Sequence, residues 1–360
     1  MRRLSLRNHF PVSIAEIHLE TIKKNIRIIQ QKASARKVLA VVKCDAYRHG
    51  AVTVSKFIEG NVDWFAVASV DEGIELRMGG IKKPVLVFGV PTYENAAAYQ
   101  THNLTATISD VAHFSVLMDG TSYQLNFDTG MGRLGFSPAQ AADVRQLAIA
   151  SQRLACSGIY SHYATADDPG SDYVYIQQQR FKQVLTHFPE IPLIHMSNTG
   201  AATNYDDIDH FGMIRTGLGM MGYNAGYTRH SWLTPALIWK TKAAQVRPIK
   251  RGDVVSYSST WVCPEDGFLA TLPVGYADGV PRSLSNKLHV LINDTYYRQA
   301  GNITMDMTMV FLGKENIEPR TDVILLGGSA WNAYEWAEHG QTNVHEILTN
   351  ITPRVEKVYI

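Results

Sequence analysis

The stretch VLAVVKCDAYRHG, residues 38–50, places a lysine directly after five apolar residues and then closes on a glycine. An unbroken apolar run of this kind is typical of a parallel strand that is buried on both faces. Lys43 therefore stands at the carboxyl end of a buried strand. It can extend its ammonium into solvent. Burial would instead disfavour the charged form and leave the amine available for Schiff-base formation or proton abstraction.

Seven further apolar runs follow this strand, separated by amphipathic stretches that predict helices. They are WFAVA (64–68), PVLVFG (84–89), TATIS (105–109), YQLNF (123–127), CSGIYSH (156–162), PLIHM (192–196) and MIRTG (213–217). Eight strand–helix repeats in roughly 230 residues match the size of a (β/α)8 barrel of the TIM type. A doubly wound parallel sheet is the alternative.

The pattern changes near Pro235, where strand-like segments follow one another with few helix signals. These segments include ALIWKTKAAQV, DVVSYSSTWV, FLATLPVGY and KLHVLINDTYYRQ, and the pair Asn293-Asp294 predicts a hairpin turn. The sequence thus predicts an α/β protein with two domains. Residues 1–235 would form the barrel, and residues 236–360 a mainly β domain.

The amino-acid composition and net charge restrict the kinds of molecule that the protein can bind. A net charge of +1 over 360 residues offers no basic surface for nucleic acid or for an anionic membrane. No apolar run approaches the roughly 20 residues of a membrane span, and the basic amino terminus lacks the apolar core of a secretory signal. Three widely spaced cysteines argue against a disulfide framework and against a structural metal site. We therefore expect a cytoplasmic protein that acts on a small molecule.

Candidate functional residues cluster where the predicted barrel strands end, because loops after the strands build barrel active sites. SNTG (197–200) follows the seventh strand and RTGLG (215–219) the eighth, and such hydroxyl, amide and glycine groups can bind an anion. Each motif alone is a common helix cap. With Lys43 in the same mouth, they suggest a phosphorylated carbonyl cofactor, and pyridoxal phosphate is the obvious candidate. His162 and His195 also end strands, which favours a hydrogen-bonded network.

One motif points elsewhere. GMGRLG (130–135) matches the G-x-G-x-x-G fingerprint of dinucleotide-binding proteins, and so an NAD oxidoreductase. The next helix starts later, at Ser137-Pro138, and no acidic residue ends the following strand where a ribose contact belongs. We reject the dinucleotide-binding interpretation.

Taken together, the motifs resemble those of the alanine racemases. They are VVKCDAYRHG, FDTGMGRLGF, SHYATADD, HMSNTG, MIRTGLGMMGY, VSYSSTW, LPVGYADGVPR and MDM, in the family's order and approximate spacing. The resemblance implies pyridoxal phosphate on a fold-type III barrel, with Lys43 as its Schiff-base partner and as base on one face of the substrate. Tyr257 would serve the opposite face, contributed by the other subunit of a head-to-tail homodimer.

The resemblance also implies roles for other residues. Arg215 would face the pyridine nitrogen, Arg133 would bind the substrate carboxylate, and His162 would tune Tyr257. Besides Lys43 and Arg215, the residues expected to bind the cofactor are Tyr47, His162, Asn198, Thr199, Gly217, Leu218 and His345. Met305 and Tyr276 would shape the substrate entrance from the partner subunit.

Four positions depart from the family pattern. Asn126 stands where many members carry a carbamylated lysine, so either a bound anion such as chloride replaces that negative charge or the site works without it. His345 stands where a phosphate-binding tyrosine is usual, and it keeps a hydrogen-bond donor. Arg48 replaces a common glycine, and Thr304 replaces a frequent cysteine or serine. None of these changes removes a catalytic group.

The expected activity is the interconversion of L-alanine and D-alanine by Lys43 and Tyr257, which would supply D-alanine for peptidoglycan. A related racemase of serine or of broad amino-acid range is one alternative, because one extra hydroxyl or methylene is worth only about 1–3 kcal/mol of discrimination. A non-catalytic pyridoxal-phosphate carrier is another. The appended β domain with Tyr257 argues against the carrier.

Overall fold

A computed structural model describes residues 12–35, 37–226 and 228–360. The chain divides into two compact units. One consists of Ile22–Thr234, and the other joins residues 12–21 to Pro235–Ile360. We describe each unit by itself.

The first unit is built on eight parallel strands. They are β2 (Lys37–Val41), β3 (Trp64–Val67), β4 (Val85–Val87), β5 (Ala106–Ile108), β6 (Ser122–Asn126), β7 (Ala155–Tyr160), β8 (Ile194–His195) and β9 (Met213–Thr216). Their order in the sheet is β4-β3-β2-β9-β8-β7-β6-β5. The two ends meet, because Val87 N donates to Thr105 O at 2.9 Å and Thr105 N donates to Val85 O at 2.8 Å. The predicted (β/α)8 barrel is therefore confirmed.

Helices alternate with these strands along the chain. They are α1 (Leu19–Lys32), α2 (Lys43–Tyr47), α3 (Ala51–Ile58), α4 (Val70–Met78), α5 (Ala96–Thr101), α6 (Ala112–Val116), α7 (Ala141–Ala150), α8 (Tyr173–Leu185) and α9 (Thr199–Asn204). Short 3-10 helices span Glu59–Asn61, Pro138–Gln140 and Leu218–Met221. Most residues of β2 and β9 are buried, as expected for parallel strands that are covered on both faces.

The second unit is mainly β, as predicted. Its strands are β1 (Ser13–Ile17), β10 (Leu237–Lys242), β11 (Gln245–Ile249), β12 (Val254–Val255), β13 (Trp261–Val262), β14 (Gly267–Leu272), β15 (His289–Ile292), β16 (Thr295–Arg298), β17 (Thr308–Phe311), β18 (Asp322–Leu326) and β19 (Glu356–Tyr359). They form sheets ordered β16-β15-β18-β10-β1-β19, β11-β14-β17 and β12-β13. Helices α10 (Ala333–Gly340) and α11 (Val344–Thr349) complete it.

Two details of this unit bear on the sequence analysis. Asn293 and Asp294 join β15 to β16 with φ of 47° and 61°, so the predicted hairpin turn is confirmed. Strand β1 pairs with β10 and β19, whereas the sequence analysis placed residues 1–235 in the barrel. Alternate burial along β1 suits a sheet with one covered face, and that pattern differs from the barrel strands.

No helix within the three described ranges has the length and apolar character that crossing a bilayer requires.

Candidate active site

Lys43 is the first residue of α2 and lies two residues beyond the end of β2, with Val42 between them. Burial, followed by the positive charge of Arg133, lowers the pKa of the Lys43 amine, while Glu72 and Cys44 act in the opposite direction. Lys43 forms no ion pair with any residue in the described ranges. At a given pH, a larger fraction of Lys43 is consequently in the neutral amine form than for a lysine in water.

The turn that follows Lys43 has an unusual backbone. Cys44, Asp45, Ala46, Tyr47 and Arg48 all have positive φ, between 52° and 66°, so α2 is a left-handed turn. None of these residues is glycine, and each left-handed L-residue costs about 1–2 kcal/mol. The surrounding structure must hold the segment in place.

Two carboxylates hold this left-handed turn. Glu72 Oε1 accepts from Cys44 N at 2.6 Å, and its Oε2 accepts from Ala68 N at 2.7 Å. Asp45 Oδ1 accepts from Ala51 N at 2.7 Å. Glu72 also completes a capping box with Ser69 at the start of α4. Glu72, the third helical residue of the α4 capping box, thus also fixes the start of the turn after Lys43.

Arg215 lies on β9 and is only 4% exposed. Its Nη1 is 2.8 Å from Nδ1 of His195, and its Nη2 is 2.9 Å from Nδ1 of His162. Nη2 also donates to the backbone oxygens of Ser161 and Met196. Each of these partners is a neutral acceptor, and no carboxylate in the described ranges pairs with Arg215. A buried cation without a counter-ion is costly, which favours an electron-rich ligand beside it.

The electrostatics agree with this arrangement. Burial, and then the charge of Arg215, holds the pKa values of His162 and His195 well below the usual range. Burial lowers the pKa of Arg215 itself to about 10. Both imidazoles are therefore neutral at neutral pH, whereas Arg215 remains a cation.

An aromatic ring supports the same cluster. Tyr160 stacks on His195 with ring centroids 5.1 Å apart and an interplanar angle of 7°. The guanidinium of Arg215 lies 5.6 Å from the centroid of the Tyr160 ring. Thr107 donates to Val87 O, so the Tyr160 hydroxyl donates to Thr107 Oγ1 at 3.0 Å. These contacts fix the plane of His195.

Backbone and hydroxyl groups after β8 and β9 form a small cradle. Asn198 caps α9 by accepting from Ala201 N, and Thr199 Oγ1 accepts from Gly219 N at 3.4 Å. A Cβ at Gly217 would clash with the Tyr47 hydroxyl, so a larger residue there would displace Tyr47. Leu218 is 3% exposed and begins the 3-10 helix after Gly217. Tyr47 therefore lies beside Gly217, and Thr199 contacts Gly219, within the barrel unit.

These groups fit pyridoxal phosphate. The hydroxyl of Tyr47 beside Gly217 and the hydroxyl of Thr199 are donors that suit its phosphate, and an amine with a lowered pKa suits its aldehyde. Its ring nitrogen offers the lone pair that the unpaired cation of Arg215 lacks. The donor set of the barrel unit thus suits each polar part of the cofactor.

Arg133 belongs to a tight loop after β6. Asp128 accepts from the backbone N–H groups of Gly130, Met131, Gly132 and Arg133 at 2.7–3.1 Å. Although burial opposes the shift, these four bonds lower the pKa of Asp128. The glycine-rich sequence therefore forms a carboxylate-centred loop. A 3-10 helix at Pro138–Gln140 follows this loop, so the next helix starts after the glycine-rich motif, as predicted from Ser137-Pro138.

Asn126 does not reach Arg133 with its side chain. Its amide donates to Leu134 O at 2.9 Å and to Ser109 Oγ at 3.4 Å. Asn126 thus anchors the same loop from below. The Arg133 guanidinium makes no hydrogen bond to the described part of the chain.

The remaining expected site residues belong to the second unit. Tyr257 is 71% exposed, Met305 53% and Tyr276 42%. The segment after β16 joins them, because Asn302 Nδ2 donates to Tyr257 O and Tyr276 N donates to Thr304 O. These three side chains form an exposed group that we call the Tyr257 face. His345 lies on α11, whose cap is Asn343.

Sequence reasoning missed Glu72 and Gln124. The S-x-x-E spacing from Ser69 predicts a capping box for Glu72, but nothing in it points to Cys44. Gln124 lies within β6 and reaches His195 at 2.7 Å, across a sequence separation of 71 residues. Only the closed barrel brings these two residues together.

The fold and the site define a barrel with a strand-end lysine, a buried arginine and an anion cradle. Family models described as the alanine racemase N-terminal domain and C-terminal domain match residues 17–225 and 236–359. The chain belongs to the alanine racemase family, a family of isomerases.

Individual relatives agree with this assignment. An alanine racemase from Symbiobacterium thermophilum is 34% identical over 362 residues, which cover 96% of each chain. The crystal structure of alanine racemase from a D-cycloserine-producing Streptomyces lavendulae superposes with a TM-score of 0.92 at 29% identity, covering 98% of this chain and 97% of the other. A histidine racemase from Leuconostoc mesenteroides reaches a TM-score of 0.89 at 27% identity, covering 98% and 99%.

Proposed function

We propose that this protein interconverts L-alanine and D-alanine with pyridoxal phosphate as cofactor. The observation that carries the proposal is the grouping of Lys43, Arg215 and the Gly217 cradle in one barrel mouth. Membership of the alanine racemase family supports alanine as the substrate.

When bound, pyridoxal phosphate supplies an electron sink that makes the substrate Cα–H acidic. Lys43 would hold the cofactor aldehyde, and Arg215 would hold the ring nitrogen. Because a guanidinium stays protonated, Arg215 donates a hydrogen bond without handing over its proton. Tyr47, Asn198, Thr199, Gly217 and Leu218 would hold the phosphate, with His345 as a further donor.

Racemisation requires a proton to leave one face of Cα and to arrive at the other, so two groups are needed. Lys43 would move the proton on one face. Tyr257 of the partner subunit would move it on the other, which requires a homodimer with shared active sites. The exposed Tyr257 face supports a partner chain at this position.

Substrate binding would rest on a few groups. Arg133 would pair with the substrate carboxylate, because its guanidinium has no acidic partner in the described ranges. Met305 and Tyr276 of the partner subunit would shape the entrance, and His162 would tune Tyr257. The product D-alanine would serve peptidoglycan, and we propose a cytoplasmic location, supported by three cysteines outside any disulfide.

A racemase of another amino acid is the second candidate. The structural similarity to a histidine racemase supports a substrate with a larger side chain as this alternative. A carrier without activity is disfavoured, because it would have no use for the exposed Tyr257.

The decisive experiment follows solvent deuterium into the Cα position of L-alanine and D-alanine, beside serine, lysine and histidine. We expect fastest exchange, with inversion, for both alanine enantiomers. If another amino acid exchanges faster than alanine, that amino acid is the substrate and the proposal of alanine is wrong. Absence of exchange from all five, in protein saturated with pyridoxal phosphate, would refute racemase activity and leave the carrier.

A further inference from the structure

Gln124 occupies the middle of β6 and is fully buried. Its Oε1 lies 2.7 Å from Nε2 of His195, whose Nδ1 lies 2.8 Å from Nη1 of Arg215. An arginine has no lone pair to offer, so Arg215 donates and Nδ1 accepts. A neutral imidazole with an accepting Nδ1 carries its proton on Nε2. That proton is therefore donated to Oε1 of Gln124.

The other half of this amide is unsatisfied. Gln124 Nε2 is buried and has no hydrogen-bond partner in the described part of the chain. A buried, unpaired amide N–H destabilises a fold, and an apolar side chain of similar volume would avoid that cost. Buried polar groups that lack a hydrogen-bond partner are expected chiefly at functional sites. The requirement met by Gln124 is therefore the acceptor oxygen that it presents to His195.

We propose that Gln124 is a positioning residue for the racemisation proposed above, on which this inference rests. Its carbonyl oxygen fixes the Nε2–H tautomer of His195, so that Nδ1 always accepts from Arg215. The guanidinium then keeps one orientation at the place where it would hold the cofactor ring nitrogen. Tyr160, stacked on His195, fixes the ring plane but cannot select the tautomer.

Other side chains at position 124 would fail in distinct ways. An apolar residue would leave Nε2–H without an acceptor, so the other tautomer would compete and turn an N–H toward Arg215. A carboxylate would stabilise a second proton on His195 and place a cation against Arg215. A neutral amide oxygen accepts from Nε2–H and adds no second proton, so Nδ1 stays able to accept from Arg215.

The test begins with the tautomer itself. Full-length protein with 15N-labelled histidine, purified with and without added pyridoxal phosphate, gives long-range 1H–15N correlations for His195. In the wild type we expect a proton on Nε2 and none on Nδ1, in both samples. A proton on Nδ1 would overturn the proposal without any variant. Gln124→Met should show both tautomers, and Gln124→Glu should show both nitrogens protonated.

Kinetics complete the test, with Gln299→Met as the matched control. Gln299, in the second unit, is equally buried. Its side-chain oxygen accepts a hydrogen bond from Asn286 N, and its side-chain nitrogen donates one to Gly301 O. We expect Gln124→Met to lower kcat roughly tenfold to 100-fold with a smaller change in KM, and Gln299→Met to leave the His195 signals unchanged. Equal losses of kcat in both variants, with an unchanged tautomer, would reduce Gln124 to a structural role. A changed tautomer in a protein without racemisation would refute the proposed function alone.

Discussion

Cys44 and Glu72 are 28 residues apart in sequence, yet the amide N of Cys44 donates to Glu72 Oε1 at 2.6 Å. The same carboxylate accepts from Ala68 N and closes the capping box of α4. One acidic side chain therefore connects a helix cap to the turn that carries Lys43. The consequence can be measured.

Replacing Glu72 with alanine should release the left-handed turn. The backbone N–H groups of Cys44, Ala68 and Ser69 lose their acceptor. Each loss costs about 1–3 kcal/mol where water cannot replace the carboxylate, so we expect a lower urea midpoint and weaker capture of pyridoxal phosphate. Glu75→Ala, on the exposed face of the same helix, is the control and should change neither quantity. Equal behaviour of the two variants would contradict the connection.

Arg133 should influence the protonation of Lys43. Its positive charge, second only to burial, lowers the pKa of the amine, so Arg133→Gln should raise that pKa. The pH dependence of Lys43 acetylation by acetic anhydride, read by mass spectrometry on cofactor-free protein, should shift upward. Arg153→Gln removes an arginine that pairs with Asp119 instead, and its profile should match the wild type. A downward shift for Arg133→Gln would be inconsistent with this account.

Tyr257→Phe should impair the two directions of turnover unequally. Each direction uses Lys43 and Tyr257 in opposite roles, as the proton acceptor or the proton donor. Loss of the hydroxyl should lower both rates by about 100-fold or more. The solvent isotope effect should change more in one direction than in the other. Tyr296→Phe, another half-exposed tyrosine of the second unit, should leave both rates unchanged. Unchanged rates in Tyr257→Phe would remove Tyr257 from the mechanism.

Gly217→Ala should weaken cofactor binding. The new Cβ would lie 2.2 Å from the Tyr47 hydroxyl, so Tyr47 or the cradle must move. We expect a Kd for pyridoxal phosphate that is roughly tenfold higher, measured by absorbance titration. Gly60→Ala places its Cβ where no atom lies within 4 Å, and it should bind like the wild type. Wild-type affinity in Gly217→Ala would show that the cradle does not bind the phosphate.

His162 and His195 should make the fold sensitive to acid. Their folded-state pKa values lie well below the unfolded value of about 6.5, so below that pH the unfolded chain binds more protons. Stability is therefore lost as the pH falls from about 6.5 toward the folded pKa values. Between pH 6.5 and 5.5 each histidine should remove about 1 kcal/mol of unfolding free energy. Urea unfolding of His195→Asn should show a shallower dependence on pH, and an identical dependence would refute the assignment.

Several features could be read from the sequence because each rests on a local pattern. Eight apolar runs gave the barrel strands, Lys43 was placed at a strand end, and Asn293-Asp294 gave a hairpin turn. The change of pattern near Pro235 coincides with the start of the long segment of the second unit.

Other features depend on contacts between distant segments. Strand β1 lies next to the barrel in sequence but pairs with β10, more than 200 residues away. The left-handed turn carries no glycine before Gly50, so propensity gives no sign of it. The contact of Gln124 with His195 exists only after the barrel closes. Local patterns specify elements, whereas these features come from the assembled fold.

The left-handed turn also limits how this site can be transplanted. Residues 44–48 are held in this shape by Glu72 of the next strand–helix repeat and by Asp45, and left-handed backbone is not the local preference of these residues. A protein engineer who grafts KCDAYR onto a foreign scaffold would obtain an ordinary loop with a misdirected amine. The smallest portable module therefore runs from β2 through the capped start of α4.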